Sequence, residues 1–264
     1  MGIAFETEGR GPALALLHPL GADRRVWSPV VPLLRDQREL ILIDLPGFGQ
    51  SPPLSSAKPT PRALAGAVAE LLRELGIDRA HVAGNSLGGW VALELALGGA
   101  VLTATAIAPA GLWPAPLVAK PSLGHVLAGR LQALAAPVAA TGPGRRLLLK
   151  SAVAHPNRVP AAESAHLVRA YGQAPGFVAV NNAMRAGRFE GLERIRVPLT
   201  MVWPEHDGLV KRPPWLPDNV RNIALPGTGH IPMWDDPRAV ADALLTGSNG
   251  AGATRAATEV RRAS

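Results

Sequence analysis

The chain has 264 residues, 47% of them hydrophobic, with a formal net charge of +7 and no cysteine. That is enough apolar material for one large buried core, and the lack of thiols excludes disulfides, thiolate metal sites and cysteine nucleophiles. The basic balance alone would admit nucleic-acid binding, but with 4% aromatic residues for stacking and no recognition-module motif that class is set aside.

In chain order, Met1 to Glu6 lead into a strand without the basic region and apolar core of a signal segment. Nowhere does the sequence run to the ~20 apolar residues that a membrane helix needs. A cytoplasmic protein is therefore expected, a monomer or homodimer acting on a small molecule, with no membrane or nucleic-acid partner. Ala13 to Leu17 reads as a buried strand followed by His18-Pro19-Leu20-Gly21, and Asp44-Leu45-Pro46-Gly47-Phe48-Gly49-Gln50-Ser51 follows the next strand. Ala80 to Ala83 is another apolar strand and Gly89 to Leu97 reads as a helix, so Gly84-Asn85-Ser86-Leu87-Gly88 falls on the turn between them. Thr105 to Ala108 is a strand followed by Pro109-Ala110-Gly111, which offers no acid. From 111 to 190 no strand pattern appears; His125 to Ala135, Gly144 to Val153 and Ala161 to Tyr171 read as helices. Leu199 to Trp203 and Arg221 to Leu225 read as the last strands. They run into Pro204-Glu205-His206-Asp207-Gly208 and Pro226-Gly227-Thr228-Gly229-His230. Asp235 and Asp236 look like an N-cap and first-turn charge for a final helix starting at Pro237. Residues 247 to 264, rich in Gly, Ala, Ser and Thr, read as a disordered tail.

The serine turn carries the chemistry. A sharp strand-to-helix turn lifts the Ser86 Oγ above a sheet and aims helix N-terminal N–H groups at whatever it attacks. Glycines two residues either side are expected because Cβ atoms would not fit there. A serine hydroxyl is a weak nucleophile at neutral pH and needs a histidine base, itself oriented by a carboxylate. His230 is the candidate base and Asp207 the candidate acid, both just past strand ends and in the chain order Ser, Asp, His.

On these residues the chain resembles the α/β-hydrolase family over nearly its whole length. His18 to Gly21 is similar to the family's oxyanion loop, Asp44 to Ser51 to its Asp-x-Pro-Gly-x-Gly-x-Ser loop, and Gly84 to Gly88 to its nucleophile turn. The loops that carry Asp207 and His230 are similar to its acid and base loops. The resemblance implies an α/β fold: a mostly parallel, doubly wound sheet formed by 1–110 and 191–246, with a helical cap at 111–190. It implies an oxyanion hole made by the backbone N–H groups of Leu20 and Leu87, since Pro19 has none to give. It also implies no metal and no organic cofactor. Trp27, Trp113, Tyr171, Phe177, Met184 and Ile231 are candidates for the pocket wall. The activity it implies is that of a carboxylesterase cleaving small to medium esters, because haloalkane dehalogenases and epoxide hydrolases of this fold place aspartate at the turn. Asn85 before the serine resembles the carbon–carbon hydrolases of ring-opened dienones, and His18 to Asp23 with Trp27 resembles enol-lactone hydrolases. All three activities share one triad. A noncatalytic binding protein of the same fold is the reading from another class.

The neighbouring polar residues have structural readings. His18 shapes the oxyanion loop through a backbone hydrogen bond, His81 is a satisfied core histidine, and Asp44 stabilises its turn. Glu205 and His206 flank Asp207 without its role. Segment 111–190 holds nine basic side chains against two acidic ones, which accounts for the chain's whole +7. A solvated helix surface explains that charge. Steering of anionic substrates is the sharper reading, with Arg24, Arg25 and Arg185 as contacts.

Overall fold

The computed structural model describes residues 2–55, 58–118 and 122–249. Seven strands, β1 (Phe5–Gly9), β2 (Ala13–Leu17), β3 (Glu39–Ile43), β4 (Ala80–Asn85), β5 (Val101–Ile107), β6 (Leu199–Pro204) and β7 (Arg221–Leu225), form one sheet in the order β1-β3-β2-β4-β5-β6-β7. Only β1 runs antiparallel to its neighbour. The central strands are apolar on both faces. Ala15, Leu17, Ile41 and Ile43 enter one core, while Leu14, Leu16, Leu40 and Leu42 enter another. Such strands must be covered on both sides, and parallel crossovers supply the helices that do it.

Helices α1 (Val31–Leu34), α2 (Pro61–Glu74) and α3 (Leu87–Leu97) alternate with the first strands. Between β5 and β6 the chain forms α4 (Leu123–Arg130), α5 (Ala135–Ala139), α6 (Gly142–Leu149), α7 (Ala161–Gln173) and α8 (Phe177–Ala186), and α9 (Pro237–Ser248) follows β7. Leu64 and Val68 of α2 pack with Val91 and Leu95 of α3 in the first core, and Leu34 of α1 packs with Val240 and Leu244 of α9 in the second. After β2 the chain steps outward to β3 and then returns to β4 on the other side of β2. The connections leaving β2 and β4 therefore diverge, and a crevice opens at their carboxyl ends, where Leu17 pairs with Gly84.

The helices between β5 and β6 differ in detail from the expected ones. The stretch 125–135 breaks after Arg130, and α6 starts at Gly142 because Thr141 caps it, its hydroxyl accepting from Gly144 N–H at 3.1 Å. Helix α8 lacked a sequence expectation altogether. The expected tail starts too early: α9 continues through Ser248, whose hydroxyl accepts from Arg38 Nε and Nη2 at 3.1 and 2.9 Å. Residues 250–264 of that tail lie outside the described residues. No described helix is long and apolar enough to cross a membrane.

Candidate active site

Ser86 sits between β4 and α3 with φ 56° and ψ −111°, a left-handed conformation rare for a residue with a Cβ. Its neighbours hold it there. Ser86 N–H donates to Ile107 O at 2.9 Å, and its own carbonyl accepts from Trp90 and Ala110 N–H at 3.0 Å each. Two glycines make the turn possible by close approach. A Cβ on Gly84 would lie 2.1 Å from Gly88 O, and one on Gly88 would lie 2.3 Å from Leu17 O.

Asp207 and His230 come together from the ends of β6 and β7. His230 Nδ1–H donates to Asp207 Oδ2 at 2.7 Å, with both side chains nearly sealed. The other carboxylate oxygen accepts from Leu209 and Val210 N–H at 2.7 and 3.0 Å. Burial by itself would raise the Asp207 carboxyl. The hydrogen bond and charge of His230, with the two N–H groups, outweigh burial and hold it below its ordinary value. With Nδ1 engaged, Nε2 carries the lone pair, and it is unpartnered among the described residues.

Two further residues place the histidine loop. Asn85 Nδ2 donates to His230 O at 3.0 Å and to Ile107 O at 3.2 Å, linking the loop to the residue before the serine. Asp235, expected as a helix-end charge, has another role. Its carboxylate accepts from Gly229, Ala154 and His155 N–H at 2.8, 2.9 and 2.7 Å, joining the histidine loop to the segment after α6. The cap of α9 is Asp236 alone, which accepts from Ala239 N–H at 2.9 Å. Nothing local marks Asp235 for that role, since two of its three donors lie some 80 residues away.

Leu20 stands in the loop after β2 and Leu87 opens α3, so the two N–H groups belong to adjacent strand ends. His18 fixes that loop: its Nε2 accepts from Leu45 N–H at 2.9 Å and its Nδ1 faces Pro19 O at 2.8 Å. Full burial pushes its pKa down, so it is a neutral structural imidazole. Asp44 does hold its turn, accepting from Arg24 and Gln50 N–H at 2.8 and 2.9 Å, and His81 meets the Thr103 hydroxyl at 2.9 Å. Glu205 accepts from Gly227 N–H instead of meeting the histidine.

The pocket candidates divide. Tyr171 and Phe177 crowd Gly21, next to Leu20, where a Cβ would lie 2.5 Å from Tyr171 Cδ2 and 3.2 Å from Phe177 Cε2. Ile231 is half-buried beside the histidine, its N–H donating to Ala152 O at 2.7 Å. Trp27 is a correction: it is fully buried among Val26, Val30 and Leu34, so it is core and not pocket wall. Met184 is buried in the first core near the C-terminus of α8. Trp113 packs edge-on against Trp90 at 5.7 Å and donates to Gly187 O, tying the start of the inserted helices to their end. All three arginine candidates are engaged elsewhere. Arg24 pairs with buried Asp44 and with Glu6, Arg25 with Glu163 at 2.8 Å, and Arg185 donates to Val118 O. Among the described residues no three His, Cys, Asp or Glu side chains gather as a metal site would require.

A strained serine at a strand-to-helix turn, with an acid–histidine pair at the ends of later strands of a doubly wound sheet, defines a class of enzyme. The chain belongs to the alpha/beta hydrolase family, whose model matches residues 14–243. Over 97 residues it is 42% identical to a pimeloyl-[acyl-carrier protein] methyl ester esterase of Aeromonas hydrophila, a match covering 37% of each chain. It thus spans little more than a third of that relative. It is 31% identical over 210 residues to the epoxide hydrolase EphH of Mycobacterium tuberculosis, covering 69% of this chain and 92% of the other. It shares its fold with the enol-lactonase of Burkholderia xenovorans at a TM-score of 0.70 and 20% identity, over 92% and 95% of the two chains.

Proposed function

We propose that this hydrolase is a serine esterase that cleaves small to medium carboxylic esters through an acyl-enzyme on Ser86. The observation that carries the reading is the nearly buried Asp207–His230 pair at 2.7 Å, tied through Asn85 to the strained serine turn. In this reading His230 Nε2 takes the Ser86 proton as Oγ attacks the ester carbonyl. The Leu20 and Leu87 N–H groups hold the oxyanion, each contributing on the order of 3 kcal/mol to lowering the barrier. The histidine then protonates the leaving alcohol. Water activated by the same Nε2 releases the acid and restores the hydroxyl. Asp207 stays ionised throughout, fixing the tautomer and stabilising the imidazolium. The helices between β5 and β6 act as a cap, with Tyr171 and Phe177 walling the acyl side near Leu20.

The methyl ester esterase among the relatives fits this chemistry, and serine in place of aspartate at the turn sets the reading apart from epoxide opening. Lactone hydrolysis needs no different machinery, but of the arginines that would favour an anionic lactone Arg24 is neutralised by buried Asp44 and Arg25 is paired with Glu163. Measuring kcat/KM on p-nitrophenyl acetate and butyrate beside an enol-lactone and a dienone tests the proposal. Faster turnover of the neutral esters supports it; turnover of the lactone or dienone alone replaces it, and no turnover of any points to a binding protein.

A further inference from the structure

Helix α4 is built inside out. Leu123, Val126 and Leu127 point outward at 74, 45 and 57% exposure, and Leu131 and Leu134 continue the stripe at 47 and 53%. On α4 itself the i, i+3, i+4 spacing of Leu123, Val126 and Leu127 puts them on one face, and Leu131 and Leu134 extend the exposed apolar surface past the end of the helix. Against the protein the helix offers small residues. A Cβ on Gly129 would lie 2.8 Å from Gly172 O, and one on Gly124 would lie 3.3 Å from the Tyr171 hydroxyl. His125 stacks on Phe177 at 4.5 Å with both ring nitrogens sealed and unpartnered among the described residues. No residue of α4 is buried.

The surroundings are basic. Arg130 closes α4 and Arg169 stands on α7, which packs against α4, and neither has an acidic partner among the described residues. A second patch of the same character follows Asp207, where Leu209 and Trp215 are 60 and 65% exposed beside exposed Lys211 and Arg212. Both segments leave the carboxyl edge of the sheet, one after β5 and one after β6, the edge at which Ser86 sits. A second copy of this face would bring like charges together, so the complementary occupant is anionic as well as apolar. Outward aliphatic side chains closed by the unpaired Arg130 offer an anionic lipid surface both apolar and charged contact.

We propose that the α4 face docks onto an anionic lipid surface. Docking would deliver esters carried in that surface to the edge where Ser86 stands, a consequence that rests on the serine-esterase reading. It departs from the expectation of no membrane partner, which rested on the absence of a spanning segment; lying on a bilayer requires none.

The test is co-sedimentation of the full chain with phosphatidylcholine vesicles and with vesicles containing phosphatidylglycerol. Ser86→Ala is run alongside, so that docking is read separately from chemistry. The expected result is binding to the anionic vesicles only, lost at about 0.5 M salt. It should weaken at least about tenfold in Leu123→Ser/Leu127→Ser/Leu131→Ser and in Arg130→Glu. Both variants should keep p-nitrophenyl acetate turnover and a native circular dichroism spectrum, and Ser86→Ala should bind as the parent does. Absence of binding, or binding that the leucine and arginine variants leave unchanged, overturns the proposal. So does a dimer in sedimentation velocity that the leucine variant abolishes, which would assign the face to a second copy.

Discussion

The left-handed backbone at Ser86 costs on the order of 1–3 kcal/mol, and the surrounding contacts leave the chain no alternative. If that strain serves a nucleophile, Ser86→Ala should fold normally and lose at least ~10³-fold in kcat, read by single-turnover kinetics and by loss of labelling with a phosphonate probe. A probe adduct on Ser51 in its place would count against the assignment. Asp207→Asn should keep the fold yet lower kcat by about 10⁴-fold, because an amide permits the wrong histidine tautomer. Glu205→Gln should leave kcat alone, since Glu205 meets Gly227 N–H. Arg24 belongs to stability and not to substrate choice. Its guanidinium pairs with the fully buried Asp44, so Arg24→Glu should cost about 3–5 kcal/mol in urea unfolding while leaving the ratio of anionic to neutral substrate turnover unchanged. At this scale the sequence was legible wherever chemistry is local: Gly84, Ser86 and Gly88 announce the turn by their spacing. Arg24 and Trp27 were not, because their partners Asp44 and Leu34 are chosen by the fold and leave no mark beside them.

Elements explain how the acid and base loops meet. Strands β6 and β7 are parallel neighbours, so the residues just past their ends arrive together at one edge. The histidine loop is further held to the segment after α6 by Asp235, and Asp235→Asn removes charge-assisted hydrogen bonds to three buried or half-buried N–H groups. A loss of about 1–3 kcal/mol in stability is expected, with kcat falling more than KM rises because His230 is displaced. Equal losses in both would make Asp235 a purely structural clamp. The helices over the sheet divide in the same way. Substituting Tyr171 or Phe177, which crowd Gly21, should alter acyl-chain preference, whereas Met184→Ala in the core should cost ~2–5 kcal/mol and leave preference alone. Strand β2 could be read to the residue because a five-residue buried apolar run bounded by turn residues is too short for a helix, while the mostly exposed β7 was legible from the Pro-Gly turn that ends it. The helices between β5 and β6 were less legible. Their apolar residues face outward on α4 and inward on α8, so amphipathic period alone cannot say which face is covered, and α8 escaped notice.

Over the whole molecule, buried ionisable groups set how stability follows pH. His18 is pushed down by burial, with Pro19 O and the Asp44 and Asp23 charges only partly opposing it, and His81 is pushed down by burial and then by the Arg38 charge. In the unfolded chain each would take a proton near pH 6.5, while the folded protein keeps both neutral to lower pH. The unfolded state therefore binds more protons in that window, and stability falls as pH drops, by up to about 1.4 kcal/mol per pH unit for each histidine. Two carboxylates extend the trend. Asp23 and Asp207 are both raised by burial but lowered further by His166 and His230, so each contributes stability above its unfolded value near pH 3.8 that is lost as pH falls through its folded value. Those pairs also pin the fold at two points of the site edge: His166 of α7 reaches Asp23 in the loop after β2 at 2.7 Å, and His230 reaches Asp207. Acid should accordingly loosen the candidate site along with the core. Urea midpoints should fall little from pH 8 to 6.5 and more from 6.5 to 5 with a constant m-value, and the decline should steepen below pH 4. A midpoint that is flat from pH 8 to 5 would mean that His18 and His81 take up protons in the folded state, and the buried neutral imidazole holding Leu45 N–H would have to be abandoned.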